Sequence, residues 1–165
     1  MMDDDRLREL LEVVEHNPKI PPQELAVMLG MSVEDVTQSM DELEKQGIIR
    51  NYKTVIDWNL VGEEYVYAII ELKVALEDRS GYDTIAKRIA GFPEVRSVHL
   101  VSGDHDLSIT VRGKSMKNVA FFVAEKIAPL RQIQGTVTHF VLKAYKEDGL
   151  ILFDDEKPKR LSITP

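Results

Sequence analysis

The chain contains no cysteine, which excludes a disulfide scaffold, thiol catalysis and cysteine-ligated zinc or iron–sulfur centres. No apolar run approaches the roughly 20 residues that a membrane-crossing helix needs. The opening Met1, Met2, Asp3, Asp4, Asp5 has neither the basic start nor the apolar centre of a secretory signal, so a soluble, cytoplasmic protein is expected. Catalytic signatures are missing too. There is no phosphate loop, no G-x-G-x-x-G after a strand, no His-Glu-x-x-His helix and no serine in a nucleophile-elbow setting. We therefore expect no enzyme, no cofactor and no metal site. Basic charge is also scarce where it matters. Residues 1–50 carry 12 acidic and 5 basic side chains and residues 51–165 carry 16 of each, so the whole net charge of −7 lies in the first third. A nucleic-acid-binding module usually has the opposite sign, because phosphate contacts supply most of the affinity.

What is present reads as globular: 165 residues, 44% apolar and 30% charged, enough for one domain or two small ones. Leu7, Leu10, Leu11 and Val14 recur at helical spacing behind an acidic opening that suits the positive end of the helix dipole. His16-Asn17-Pro18 stops this helix. A second, short helix starts at Pro21-Pro22 and turns Leu25, Met28 and Leu29 inward. After Gly30, Ser32 is a candidate N-cap, with Asp35 three residues on, for a third helix carrying Val33, Val36, Met40 and Leu43 on one face. Gly47 closes it. Two helices joined by about three residues around a glycine outline a helix-turn-helix, and Ile48 to Tyr52 reads as the short strand of a winged variant.

Beyond Asp57-Trp58-Asn59, strand and helix patterns alternate. Tyr65 to Val74 is β-branched and aromatic, hence a strand. Gly81 to Ala90 is a helix ended by Gly91-Phe92-Pro93. Val95 to Ser102 and Asp106 to Arg112 are strands around a Gly103-Asp104-His105 turn. A helix runs from Ser115 through Ile127, and Ile133 to Tyr145 is a last long strand. The order β-α-β-β-α-β gives a four-stranded antiparallel sheet with two helices on one face. The expected class is thus α+β, a winged helix-turn-helix followed by a ferredoxin-like domain. The boundaries are 1–54 for the first domain, 55–64 for a hinge, 65–145 for the second domain and 146–165 for an extension. One sheet face has no helices, and Tyr67, Ile69, Leu72, Val74, Phe140 and Leu142 supply more apolar strand surface than one helical layer needs. A second copy of the chain is therefore expected on this face, the alternative being a loop or the C-terminal tail. The extension, with an apolar patch at Leu150 to Phe153 and mixed charge from Asp154 to Arg160, either adds an edge strand to a partner or is mobile.

This layout resembles the Lrp/AsnC (leucine-responsive/asparagine-type) family of transcriptional regulators. Pro22-x-Glu24-Leu25-Ala26-x-x-Leu29-Gly30 followed by Ser32-x-x-x-Val36 is similar to its helix-turn-helix. Leu43-Glu44-x-x-Gly47-Ile48-Ile49 is similar to its exit into the wing. Phe92-Pro93-Glu94-Val95, Ser102-Gly103-Asp104-His105-Asp106-Leu107 and Thr136-x-Thr138-x-x-Val141-Leu142 are similar to segments of its regulatory domain. The resemblance implies a cytoplasmic dimer-based assembly, often an octamer, that binds double-stranded DNA. It further implies an amino acid or similar small effector bound between subunits.

For DNA, the exposed start of the third helix presents Ser32, Glu34, Thr37, Gln38 and Asp41. Gln38 can pair with adenine, and Ser32 can reach a phosphate or base edge. Members of the family commonly place arginines on this helix, whereas Glu34, Asp35, Asp41, Glu42 and Glu44 dominate here. Phosphate contacts then fall to Arg50 and Lys53, with Arg6, Arg8 or Lys45. The alternative is a solvated acidic face on an effector-sensing interaction module with little DNA binding. For the effector, Ser102, Gly103, Asp104, His105 and Asp106 form the candidate loop. Gly103 opens a backbone amide to a ligand, and Asp104 or Asp106 can receive an ammonium group. The family adds the hydroxyls of the last strand, here Thr136 and Thr138. An ordinary hairpin turn is the plainer reading of the same loop. His99, His105 and His139 raise a metal or haem site, or a tetrapyrrole-processing relative, but no compact ligand spacing repeats.

Overall fold

Three helices build the first of two units into which the chain divides, residues 1–55 and 56–165; the computed structural model describes residues 4–75 and 81–152. Helix α1 (Asp4–His16) has Asp4 and Asp5 in its first turn and buries Leu10 and Val14. Helix α2 (Pro22–Leu29) has proline at its start, where the missing N–H costs nothing, and buries Leu25, Ala26 and Leu29. It ends at Gly30, whose φ of 60° is left-handed, a conformation that a Cβ disfavours. Helix α3 (Val33–Lys45) begins where the Ser32 hydroxyl accepts from the Asp35 N–H at 3.0 Å and donates to the Asp35 carboxylate at 2.7 Å. The core of this unit joins Leu10, Leu25, Leu29, Val36 and Leu43, with Met40 and Ile49 packed against it.

The strand expected over 48–52 is not formed. A strand needs a partner to complete its ladder, and the described residues of this unit contain no other strand. Side chains hold the segment instead. Ile49 packs against the helical core, and the Tyr52 hydroxyl donates to Glu44 Oε1 at 2.7 Å. Burial first, and then the Glu44 carboxylate, push the Tyr52 phenol up to about 12.

The second unit is the expected sheet. In chain order it comprises β1 (Val66–Val74), α4 (Gly81–Ala90), β2 (Val95–Leu100), β3 (Leu107–Gly113), α5 (Met116–Phe122) and β4 (Ile133–Phe140). The strands lie β2-β3-β1-β4, and every pair is antiparallel. Helix α5 passes into a π-helical turn, Val123–Ile127. There Lys126 pairs with the Glu94 carboxylate and covers the Phe92 and Phe122 rings. Burial pushes the Glu94 carboxyl up, but the bond and charge of Lys126 leave it below its ordinary value. Ahead of β1, a 3-10 turn (Trp58–Val61) is tied to the sheet by aromatic contacts. The Trp58 ring meets Tyr65 edge-on at 5.4 Å, and the Arg112 guanidinium sits 4.4 Å from the Tyr65 ring centre.

Side-chain alternation sorts the two sheet faces. Ala68, Ile70, Leu72 and Val74 of β1 are buried with Leu107, Ile109 and Val111 of β3 against Ile85, Ile89, Val119, Phe122 and Ile127. Leu72, Val74 and Phe140 therefore lie on the helix side. Register settles Phe140, which pairs with the buried Ala68. The open face carries Tyr67, Ile69, Glu71 and Lys73, with Val137 and His139 on β4. Strand β4 also stops earlier than expected. One further bond, Val141 N–H to Tyr67 O at 2.9 Å, ends the pairing because β1 itself begins at Val66. The extension folds on itself. Strand β5 (Lys146–Glu147) pairs with β6 (Leu150–Ile151) across an Asp148-Gly149 turn with positive φ at both residues, the type favoured in two-residue hairpins. The charge run Asp154 to Arg160 lies outside the described residues.

Candidate nucleic-acid interface and effector loop

Helix α3 turns Val36 and Leu43 into the core. With about 3.6 residues per turn, the side farthest from them carries Glu34, Gln38, Asp41 and Lys45, all exposed. Several neighbours are committed to the helix itself. The Ser32 hydroxyl and Asp35 carboxylate form the N-cap. The Thr37 hydroxyl donates to Val33 O at 2.8 Å, and Gln38 Nε2 donates to Glu42 Oε1 at 2.9 Å. Arg50 and Lys53 are exposed on the extended segment that follows, on either side of the Tyr52–Glu44 anchor.

In the second unit, the loop between β2 and β3 is fastened to the end of β1 by Asp106. Its backbone N–H donates to Leu72 O at 3.0 Å. Its carboxylate accepts from the Val74 N–H at 2.8 Å and the Tyr82 hydroxyl at 3.1 Å, with Lys73 Nζ at 3.4 Å. The Val74 bond, opposed by burial and aided by Tyr82 and Lys73, holds the Asp106 carboxyl below the usual carboxylate range. The bond that the Tyr82 hydroxyl donates to Asp106 raises the Tyr82 phenol.

Asp104 behaves differently. Its side chain is 96% exposed, with His105 Nδ1 at 3.1 Å, a hydrogen bond in the tautomer that carries the proton on Nδ1. That neighbour lowers the Asp104 carboxyl. Lys73 Nζ donates to the Asp104 carbonyl at 3.2 Å. On the open face, His105 lies 3.7 Å from one Glu71 oxygen and His139 Nε2 lies 3.2 Å from the other. Gly103 has φ 141°. Among the described residues, no three histidine or carboxylate side chains are placed to hold a metal ion.

The structure thus gathers Ser102, Gly103, Asp104, His105 and Asp106 around the end of β1, but it divides their tasks: Asp106 supports the loop, while Asp104 faces solvent. Thr136 and Thr138 are not brought to the same surface. They pair with Leu72 and Ile70 and so point to the helix side of edge strand β4, opposite Glu71 and His139. Lys73, Glu71 and Tyr82 were missed from the sequence. Alternation already places Glu71 and Lys73 together on one face of β1, but only strand register reveals that the loop 31 to 34 residues later returns to them.

Comparison with known proteins matches both units. A family profile described as the Lrp/AsnC ligand binding domain covers residues 67–151, and one described as winged helix-turn-helix DNA-binding covers residues 3–50. The uncharacterized HTH-type transcriptional regulator YugG of Bacillus subtilis is 41% identical over 158 residues, 95% of each chain. The chain belongs to the Lrp/AsnC family of transcriptional regulators. It is a DNA-binding regulator, and the family is one of regulators rather than enzymes. The fold of this Lrp/AsnC protein is shared with a Neisseria meningitidis transcriptional regulator solved in complex with L-methionine (TM-score 0.70, 22% identity, 89% of this chain and 94% of the other). It is shared equally with the feast or famine regulatory protein of Mycobacterium tuberculosis complexed with L-methionine (TM-score 0.72, 24% identity, 88% and 95%). None of the described helices is long and apolar enough to cross a membrane.

Proposed function

We propose that this Lrp/AsnC regulator senses an α-amino acid at the loop of residues 102–106 and transmits that binding to its DNA-reading helices through a homodimer, which assembles further in the family's manner. The observation that carries the reading is the pairing of opposite charges at the loop. Asp104 offers a solvent-facing carboxylate and Lys73, half-exposed, an ammonium bonded to the same residue's carbonyl. A zwitterion presents the complement of both, and charge-assisted bonds are the strong ones. That two proteins of this fold were solved with L-methionine makes an α-amino acid the first class to test. Ser102, Gly103 and His105 complete the loop and Asp106 holds it, while Thr136 and Thr138 lie on the helix side of the sheet edge, away from this surface.

The dimer is assigned to the open sheet face, where Ile69 and Val137 are 41% and 53% exposed beside Tyr67. In DNA binding, Glu34 and Gln38 face the bases, Arg50 and Lys53 meet phosphates, and Ser32 and Thr37 shape the start of the helix. An effector alters DNA binding only if it binds one arrangement of the assembly better than another.

Isothermal titration of the full chain against the twenty amino acids tests the sensing step. At least one is expected to bind, and Asp104→Ala is expected to weaken it about ten-fold or more. Binding unchanged in that variant, or no binding of any of the twenty, contradicts the assignment.

A further inference from the structure

The outward strip of α3 has no arginine. Along the helix it offers the carboxylate of Glu34, the amide of Gln38, the carboxylate of Asp41 and finally the ammonium of Lys45. A carboxylate accepts hydrogen bonds and donates none. In the major groove, guanine N7 and O6 and thymine O4 are acceptors, whereas cytosine N4 and adenine N6 carry amino donors. We propose that this helix selects its operator through amino groups: Glu34 and Asp41 accept from cytosine, and Gln38 reads adenine while Glu42 positions its amide. This rests on the DNA-binding reading above and names the base chemistry it uses.

The bonds within α3 separate the side chains that build it from those left to read. Ser32, Asp35 and Thr37 are tied into the cap and the first turns, and Glu44 accepts from Tyr52. Glu34 and Asp41 take no part in these bonds. Gln38 is held at one atom only. Because Glu42 can only accept, the amide nitrogen must face it, and the 2.9 Å bond uses one of two N–H groups. With the N–H trans to the carbonyl oxygen given to Glu42, the second N–H and that oxygen stand side by side, the donor and acceptor that adenine N7 and N6 require. Glu42 is therefore a positioning residue, acting through Gln38.

The acidic strip, unfavourable for general phosphate affinity, then has a use. Over a base edge that presents only acceptors, Glu34 and Asp41 would lose water with nothing to replace it. Wrong sites are rejected as well as right ones chosen. The protein is expected to bind unrelated duplex weakly and to discriminate steeply.

Selection of sites by the full chain from a pool of random duplexes at low salt, followed by titration of the selected site and its single-pair variants, tests this. Reversing one C·G pair is expected to weaken wild type about ten-fold or more and to weaken Glu34→Ala or Asp41→Ala hardly at all at the matching position. Gln38→Ala should lose a preference for adenine at a neighbouring position, and Glu42→Ala should blunt that preference. If Glu42 merely supported the helix, its removal would lower the melting temperature and leave the base preference intact, which overturns its positioning role. Tight, site-preferring binding whose base discrimination is unchanged in the Glu34, Asp41 and Gln38 variants overturns the base-reading proposal and leaves DNA binding standing. Retention of no duplex by the folded protein overturns both.

Discussion

Replacing Asp106 with alanine is expected to destabilise the second unit by about 2–4 kcal/mol. The Val74 N–H and the Tyr82 hydroxyl would both lose their acceptor at part-buried positions, and an unsatisfied buried donor costs more than its bond contributed. The loop would also lose its fastening to β1, so effector binding should fall together with stability. The pH dependence carries a definite sign. Folding lowers the Asp106 carboxyl, chiefly through the Val74 N–H, so its contribution is complete above the unfolded value of about 4 and disappears as pH falls through the folded one. Urea denaturation of wild type and Asp106→Ala at pH 7 and at pH 3 checks this. The gap between the two proteins should narrow at the lower pH, and a gap that is absent at pH 7 would show that Asp106 does not hold the loop.

Placing lysine at both Ile69 and Val137 is expected to yield a folded monomer from a dimeric or larger wild type. Both side chains are already exposed in the single chain, so folding is spared while the apolar face becomes charged. Two DNA-reading helices would then no longer act on one site together, and apparent affinity for a two-half-site duplex should fall about 10²- to 10⁴-fold. Light scattering reports the mass and anisotropy the affinity. An unchanged mass in the double variant would remove the open face from the interface.

The helices were legible because their apolar residues recur at one period and because Ser32 and Gly30 mark their ends. The four-stranded antiparallel sheet followed from the alternation of strand and helix patterns. Errors arose where period alone is silent. Ile48-Ile49 has the composition of a strand, but a strand is a property of two segments, and this one has no partner strand among the described residues. Tyr67, Ile69, Glu71 and Lys73 face one way and Ala68, Ile70, Leu72 and Val74 the other, so alternation separates the faces of β1, and pairing was needed to place Phe140. The glycine and aspartates of the 102–106 loop marked it as a candidate, whereas their unequal roles did not show. Asp106 and Asp104 differ because one meets the Val74 N–H and the other meets solvent, a difference set by the register of β1 with β3.

Effector binding at the 102–106 loop is expected to change DNA binding by the same protein. The most direct measurement is a gel shift with the protein's own upstream region, at low and moderate salt, with and without the amino acid found by titration. A site-preferring shift that weakens with salt and moves with the amino acid in wild type, but not in Asp104→Ala, is the predicted result. A shift indifferent to every amino acid, or one that responds equally in Asp104→Ala, would contradict it.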